Sequence, residues 1–112
     1  MAWNSTSIAE WAERTFGPAT ALSTAIRAQK ELTELIEKLQ QLAEGKMQHD
    51  RYTGGIIMAE VADVRIVLAR IQRFFPGAAT AEDAEQAKME VNVNRTWKLD
   101  GFGHGQHVKD PE

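Results

Sequence analysis

The sequence predicts an all-α fold with about four helices, and two observations support it. Apolar residues recur at three- and four-residue spacing along two long stretches, and no strand-like alternation extends beyond a few residues. The length of 112 residues suits one small domain. Because so short a domain buries only about two thirds of its unfolded surface, we expect oligomerisation to complete the helical bundle.

The first two predicted helices are delimited by residues that end helices. A short helix is predicted over residues 6–15, opening from Ser5 or Thr6, and Gly17-Pro18 ends it because proline cannot continue a helix. A long helix is predicted over residues 20–43. Its apolar positions are Leu22, Ala25, Leu32, Leu35, Ile36, Leu39 and Leu42.

A polar loop over residues 44–55 precedes the third predicted helix, which covers residues 55–74. Gly54-Gly55 lacks the lysine pattern of a phosphate-binding loop, so we interpret it as a flexible entry to this helix. Phe75-Pro76-Gly77 ends the helix, because proline and glycine both interrupt helical structure.

The last predicted helix runs over residues 80–92, where Thr80 and Asp83 resemble a capping box. Residues 96–112 are rich in aromatic residues and glycine and show no helical period. We expect this C-terminal tail to act as a lid over a ligand or as an arm that stabilises an oligomer. The helical domain then covers residues 1–95.

Composition and charge exclude several classes of function. The chain has no cysteine, which excludes disulfides, thiolate nucleophiles and cysteine-ligated zinc. The formal net charge is -3 and the basic residues are scattered, so we expect no nucleic-acid partner. No apolar run is long enough to cross a membrane, and Glu10 and Glu13 stand where a signal peptide would be apolar. We therefore expect a soluble, cytoplasmic protein with no membrane partner.

Two acidic pairs are the most informative feature of the chain. Glu31 and Glu34 lie in the second predicted helix, and Glu60 and Asp63 lie in the third. Residues three apart on a helix point from nearly the same side, so each pair can bind one hard cation. Two such helices side by side would present carboxylate oxygens that suit Mg²⁺, with Mn²⁺ as a substitute, holding phosphate oxygens.

A helical wheel indicates where the pair on the third helix points. With about 100° per residue, Glu60 falls about 40° from Val64, the centre of the apolar face. Asp63 falls at the edge of that face. A carboxylate at the position of Glu60 needs either a bound cation or a buried ion pair with an arginine, and both alternatives are open.

The pair on the second helix points elsewhere. Measured from Leu32, Glu31 lies about 100° away and Glu34 lies nearly opposite the apolar stripe. Taken alone, this arrangement indicates a solvated face. It becomes a metal site only if a neighbouring helix or subunit covers that face, or if the site is an open cleft.

The segments that carry these pairs resemble one family. KELTE and EVADVRIVLARI are similar to the two central helices of the all-α nucleoside triphosphate pyrophosphohydrolases, the MazG-like enzymes. Lys88, Asn92 and Arg95, which helical spacing places on one face, resemble the positions with which this family approaches substrate phosphates. WAERTFGPAT and NRTW resemble a narrower, MazZ-like branch, the phage and bacterial dATP/dGTP diphosphohydrolases. The resemblance covers most of residues 8–97.

The resemblance implies Mg²⁺-dependent hydrolysis of a nucleoside triphosphate to a nucleoside monophosphate and diphosphate. The metal ligands that it implies are Glu31, Glu34, Glu60 and Asp63. Of these, Glu31 or Glu34 would be the catalytic residue that orients or deprotonates the attacking water. The substrate-binding residues that it implies are Lys88, Asn92 and Arg95, and the two cations would stabilise charge on the leaving diphosphate.

The narrower branch further implies a purine substrate, dGTP or dATP. We expect a homodimer or homotetramer that assembles through the second and third helices, because the third helix is apolar on more than one side. A phage-encoded enzyme of this kind would work in the host cytoplasm. Two other interpretations of the sequence stay open. One is a non-catalytic helical interaction or regulatory module whose acidic pairs are surface charge. The other is the same chemistry on a pyrimidine nucleotide such as dUTP or dCTP.

Aromatic and histidine side chains near these motifs carry weaker signals. Trp97 follows the phosphate-binding segment, so it is the residue that we expect to stack on a base. Trp11 lies on an apolar stripe and is expected in the core. His104 and His107 lie in the glycine-rich tail with no further ligands nearby, which favours solvated side chains over a metal site.

Overall fold

The computed structural model describes residues 2–108, and these residues form four α-helices, one 3₁₀ helix and a two-stranded hairpin. The helices are α1 (Ser5–Phe16), α2 (Ala21–Ala43), α3 (Arg51–Ala69) and α4 (Ala81–Val93), with the 3₁₀ helix at Arg70–Phe74. The strands β1 (Trp97–Leu99) and β2 (Gly105–His107) pair antiparallel. The predicted all-α class is confirmed, because each strand has only three residues. None of the described helices is long and apolar enough to cross a bilayer.

The contacts divide the chain into two compact units, Met1–Thr80 and Ala81–Glu112. In the first unit, α2 packs along α3, and α1 packs on α3 and on the 3₁₀ helix. The second unit contains α4 and the hairpin. Both acidic pairs therefore belong to the first unit, and the predicted substrate-binding residues belong to the second. Of the predicted tail, residues 109–112 lie outside the described range.

Side-chain caps fix the starts of α1 and α2. Asn4 accepts a hydrogen bond from the Ser7 backbone N–H at 2.9 Å, and Thr20 accepts one from the Ser23 backbone N–H at 3.0 Å. In each case the serine hydroxyl accepts in return from the backbone N–H of the cap residue, which completes a capping box. The long helix begins at Ala21, one residue after its predicted start, because Thr20 is its N-cap.

The third helix begins earlier than predicted, at Arg51. Asp50 Oδ1 accepts a hydrogen bond from the Thr53 backbone N–H at 2.9 Å and so caps the helix. The same hydrogen bond holds the pKa of the Asp50 carboxyl below its ordinary value. Gly54-Gly55 consequently lie inside α3, and their interpretation as a flexible entry is wrong. The cap starts the helix upstream of these two residues in spite of their low helix propensity.

The predicted third helix is divided at its C-terminal end, where the last turn tightens into the 3₁₀ helix. Side-chain contacts tie this turn to α1 and to the residue that follows α1. They are Gln72 Nε2 to Thr6 Oγ1 at 2.9 Å, Arg70 Nη2 to the Gly17 carbonyl at 3.0 Å, and ion pairs from Arg73 to Glu10 and Glu13. The 3₁₀ helix therefore holds α1 in place against the end of α3.

The core of the chain is made of small side chains. Its buried apolar residues are Ala9, Ala12, Ala28 and Ala69, and no large side chain within the described range is fully buried. Most large apolar residues of α2 are between 42% and 71% exposed: Leu22, Ile26, Leu32, Ile36 and Leu39. Leu35 and Leu42 are half-buried, so only part of the apolar stripe predicted for α2 packs inside the chain.

Replacing Asp50 tests the cap that sets the start of α3. We expect Asp50→Ala to lower the melting temperature at pH 7, because the Thr53 N–H loses its acceptor. The folded-state pKa of Asp50 is lowered, so this stabilisation is present above the ordinary pKa of 3.8 and is lost as pH falls through the lowered value. Thermal melts of both proteins from neutral to acid pH measure the effect.

Asp50→Asn is the control for this experiment. It keeps a capping oxygen without the charge, so we expect it to retain most of the stability at pH 7 and to lose the pH dependence that Asp50 contributes. Equal melting temperatures for the wild type and Asp50→Ala at pH 7 would show that the cap does not stabilise the helix.

Candidate metal centre

Three carboxylates of the first unit meet where α2 packs along α3. One carboxylate oxygen from each of Glu31, Glu34 and Glu60 lies within 4.8 Å of the other two. Glu31 is buried, with 7% of its surface exposed, Glu60 is half-buried and Glu34 is exposed. The group is therefore closed towards the protein at Glu31 and open to solvent at Glu34.

Glu31 is buried because it belongs to the face of α2 that packs within the chain. The buried residues of this helix are Thr24, Ala28 and Glu31, which follow one another at spacings of four and three. The solvated face that the wheel around Leu32 indicated is therefore wrong for Glu31. Glu34 is exposed, as expected for a solvated face.

Glu60 lies on the apolar face of α3, as predicted. Ile57, Val61 and Val64 on the same face are half-buried. Glu60 Oε2 is buried and has no hydrogen-bond partner among residues 2–108. A buried carboxylate oxygen without a partner is unfavourable in the absence of a counter-charge. The donor set therefore fits a bound cation.

The arginine of this region contacts Glu31 rather than Glu60. Arg27 Nε and Nη2 lie 3.1 Å and 2.9 Å from Glu31 Oε1. Because the Arg27 side chain is 57% exposed, this ion pair contributes little to stability. Both contacts reach the same oxygen of Glu31, Oε1. A buried ion pair with an arginine was the alternative to a bound cation at Glu60. Among residues 2–108, no such partner contacts Glu60 Oε2.

The crowding of like charges affects the pKa of the Glu34 carboxyl. The negative charge of Glu31 raises the pKa of the Glu34 carboxyl, a hydrogen bond to Glu31 adds to this shift, and the charge of Glu60 acts in the same direction. Lys30 has the opposite effect. A divalent cation among the three carboxylates would relieve this repulsion and lower the pKa of Glu34, so its binding would be linked to proton release.

Asp63 lies beside this group without belonging to it. It is exposed, one helical turn beyond Glu60, and it lines the same cavity as Glu31. Of the four carboxylates predicted as metal ligands, the structure therefore brings three together and places Asp63 next to them.

The predicted substrate-binding residues are neighbours within the second unit. Arg95 Nη1 lies 3.5 Å from Asn92 Oδ1, and the Trp97 indole N–H donates to the Asn92 carbonyl at 2.9 Å. Lys88 is exposed on α4. The Trp97 ring lies 6.2 Å from the His107 ring, centroid to centroid. The role of these residues towards a substrate stays a prediction.

The first unit contains a cavity of about 650 Å³ that is lined by both carboxylates and aromatic rings. Its lining includes Glu31 and Asp63 together with Arg27, Trp11 and Phe16. Trp11 is 38% exposed, so its expected place in the core is wrong. The sequence analysis also missed Arg27, although its position four residues before Glu31 is a spacing at which helical side chains meet.

Comparisons of the chain with the profiles of known protein families, with curated proteins and with solved structures find no match. The resemblance to the MazG-like enzymes therefore stays a hypothesis that rests on the segments quoted above.

Replacing Glu60 tests the metal site directly. Glutamine keeps the shape of the side chain and removes its charge, so we expect Glu60→Gln to retain the helical fold and to lose metal affinity by at least about tenfold. Calorimetric titration with Mn²⁺ and Mg²⁺ measures the affinity, and circular dichroism measures the fold. Glu37→Gln is the matched control, because Glu37 is an exposed glutamate of α2 outside the carboxylate group. Unchanged affinity in Glu60→Gln would remove the metal-site hypothesis.

Proposed function

We propose that this chain is a Mg²⁺-dependent nucleoside triphosphate pyrophosphohydrolase of the MazG-like kind. The reaction converts a deoxynucleoside triphosphate, dGTP or dATP, and water to the monophosphate and diphosphate. The observation that carries the proposal is the buried Glu60 Oε2, which lacks a partner among the described residues and belongs to a group of three carboxylates. The resemblance of KELTE and EVADVRIVLARI to the family supplies the reaction class.

The residues that would hold the ion are Glu31, Glu34 and Glu60, with Asp63 as a fourth carboxylate beside them. When bound, Mg²⁺ contributes charge neutralisation of the phosphates and a lowered pKa of water. Arg27 occupies Glu31 Oε1, whereas Glu34 is exposed and has a raised pKa. Because the Glu34 carboxyl group is open to solvent, we assign to Glu34 the orientation or deprotonation of the attacking water.

We also propose substrate-binding roles for residues of the second unit. Lys88 and Arg95 would stabilise charge on the leaving diphosphate, and Asn92 would hydrogen-bond to the phosphates. The contact between Asn92 Oδ1 and Arg95 Nη1 supports this role, because it gives the guanidinium a defined neighbour on the same segment. Trp97 is proposed as an aromatic contact to the substrate. The hairpin that follows is proposed as a lid or an oligomer arm.

A panel of nucleotides tests the reaction and the substrate together. The protein is incubated with the deoxy- and ribonucleoside triphosphates and Mg²⁺ or Mn²⁺, and diphosphate and orthophosphate are assayed separately. We expect equimolar diphosphate and monophosphate, with the highest kcat/KM for dGTP or dATP. A preference for dUTP or dCTP would support the pyrimidine alternative. Absence of diphosphate release with every nucleotide would favour a non-catalytic module.

The role of Glu34 has its own prediction. We expect Glu34→Gln to lower kcat by about 10²- to 10⁴-fold, because the residue that takes up or directs the proton of the water is lost. Steady-state kinetics on the preferred nucleotide measures the change, and Glu37→Gln on the exposed side of the same helix serves as the control. A kcat within about threefold of the wild type would assign the role to another residue.

The homodimer or homotetramer is part of the same proposal. Its support is the exposed apolar face of α2, which we define as Leu22, Ile26, Leu32, Ile36 and Leu39. Large apolar side chains that are exposed along one face of a helix often mark a contact site. A second copy of the chain is the occupant that we propose, because this domain is too short to bury such a face with its own helices.

A charge placed in this face should break the assembly. We expect Ile36→Glu to shift the sedimentation coefficient towards that of the monomer, since a carboxylate would be buried without a partner at the contact. Gln41→Glu adds the same charge at an exposed polar position of α2 and should leave the assembly intact. A folded wild-type monomer at micromolar concentration would contradict the assembly through α2.

A further inference from the structure

We infer that the cavity lined by Trp11 and Phe16 is the subsite for the base of the substrate, with Trp11 as its stacking residue. The inference rests on the proposed function. It extends that function by assigning the nucleobase to a cavity within the first unit.

The aromatic wall of the cavity has the geometry of a stacking surface. The rings of Trp11 and Phe16 have centroids 5.5 Å apart and planes at 85° to each other. Such an edge-to-face pair is a stable arrangement, and it leaves at least one face of each ring uncovered by the other. Trp11 is 38% exposed and Phe16 is 68% exposed, although both are large apolar side chains. Nucleobases stack on aromatic faces of this kind.

The other residues that line the cavity indicate which further chemical groups its ligand must have. Glu31 and Asp63 line the same cavity, and Glu31 belongs to the group of three carboxylates. A ligand of this cavity therefore needs a flat apolar part for the rings and a part that binds a carboxylate-held cation. The volume of about 650 Å³ lies within the usual range for small-molecule sites. Inorganic polyphosphate meets only the second requirement, whereas a nucleotide meets both.

The wall is held in position before any ligand arrives. Arg70 lines the cavity and donates a hydrogen bond to the Gly17 carbonyl at 3.0 Å. Gly17 has a φ of +82°, a value that side chains other than glycine rarely adopt, and it directly follows Phe16 at the end of α1. Gln72 and Arg73 bind α1 from the 3₁₀ helix. A preorganised wall of this kind reduces the ordering that binding requires.

Arg27 gives the cavity a hydrogen-bonding group between its two parts. It lines the cavity, is 57% exposed, and uses Nε and Nη2 on one oxygen of Glu31. A guanidinium has five N–H donors, so donors other than those used on Glu31 are left for a phosphate or a base carbonyl. This donor suits a nucleotide better than it suits an apolar peptide.

The fluorescence of Trp11 reports on the subsite. In a Trp3→Phe background the remaining tryptophans are Trp11 and Trp97, and the emission that is lost on adding Trp11→Phe to this background is that of Trp11. We expect α,β-imido-dGTP with Mg²⁺ to quench its emission, because the base stacks on the indole. Inorganic tripolyphosphate with Mg²⁺ should compete for binding without quenching. Quenching by both compounds to the same extent, or by neither while both bind, would overturn the inference.

Substitution of Trp11 gives a second, independent measurement. In the otherwise wild-type chain, we expect Trp11→Leu to raise the Kd of α,β-imido-dGTP by at least about fivefold and to leave that of tripolyphosphate within about twofold. Trp3→Leu is the matched control, because Trp3 is 64% exposed and does not line the cavity. It should change neither Kd.

The outcomes separate this inference from the function on which it rests. Equal weakening of both ligands by Trp11→Leu would show that the residue supports the fold. A changed sedimentation coefficient with unchanged Kd values would show that a second copy covers it. Diphosphate release with wild-type kcat/KM in Trp11→Leu would refute the subsite and leave the pyrophosphohydrolase standing. Absence of both diphosphate release and ligand binding in the wild type would refute the proposed function itself.

Discussion

Carboxylate oxygens are removed from water where α2 packs along α3. The rest of the structure depends on this constraint. Glu31 is buried and Glu60 Oε2 has no partner among the described residues, yet both stand where a leucine would give a more stable contact. Arg27 offsets only part of this cost, since it reaches a single oxygen of Glu31 from an exposed position. The contact between the helices is therefore built around charge, which is the arrangement expected of a site that binds a cation and not of a site selected for stability alone.

The same constraint explains why the core is made of small side chains. Thr24 and Ala28 accompany Glu31 on the inward face of α2, so little apolar area is buried there. Most of the larger aliphatic side chains of the helix remain exposed, and a short domain has few other elements to cover them. The hydrophobic free energy of these exposed side chains is therefore not gained inside the chain, and this is the basis of the proposed assembly.

The fold was largely predictable from the sequence, and the failures have identifiable physical causes. The wheel placed Glu60 correctly because α3 has one inward stripe, centred on Val64. It failed for Glu31 because α2 carries two apolar faces, and the one with larger side chains is the one left exposed. The hydrogen bond from Thr53 to Asp50 outweighed the two glycines at the start of α3.

Neither the hairpin nor the cavity could be predicted from the sequence. Strands of three residues are too short to show a period of two, so the pairing of Trp97 with His107 leaves no pattern. The aromatic wall depends on how α1 packs on the 3₁₀ helix, which periodicity does not encode. An apolar stripe alone cannot distinguish a core tryptophan from one that lines a cavity. The approach of Glu60 to Glu31 likewise required the packing of two helices.

The geometry of α2 allows assembly and ligand binding to occur together. With about 100° per residue, Ile36 lies about 80° to one side of the inward-facing Ala28, and Glu34 lies about 120° to the other. The exposed apolar face and the open edge of the carboxylate group are therefore about 160° apart on the helix. A second copy that covers Ile36 leaves Glu34 and Arg27 accessible, since both lie on the opposite side of α2. The exposed apolar face of this helix is thus compatible with the proposed site on its charged side. A purely interacting module would explain the apolar face, but it would not explain why Glu60 Oε2 lacks a partner among residues 2–108.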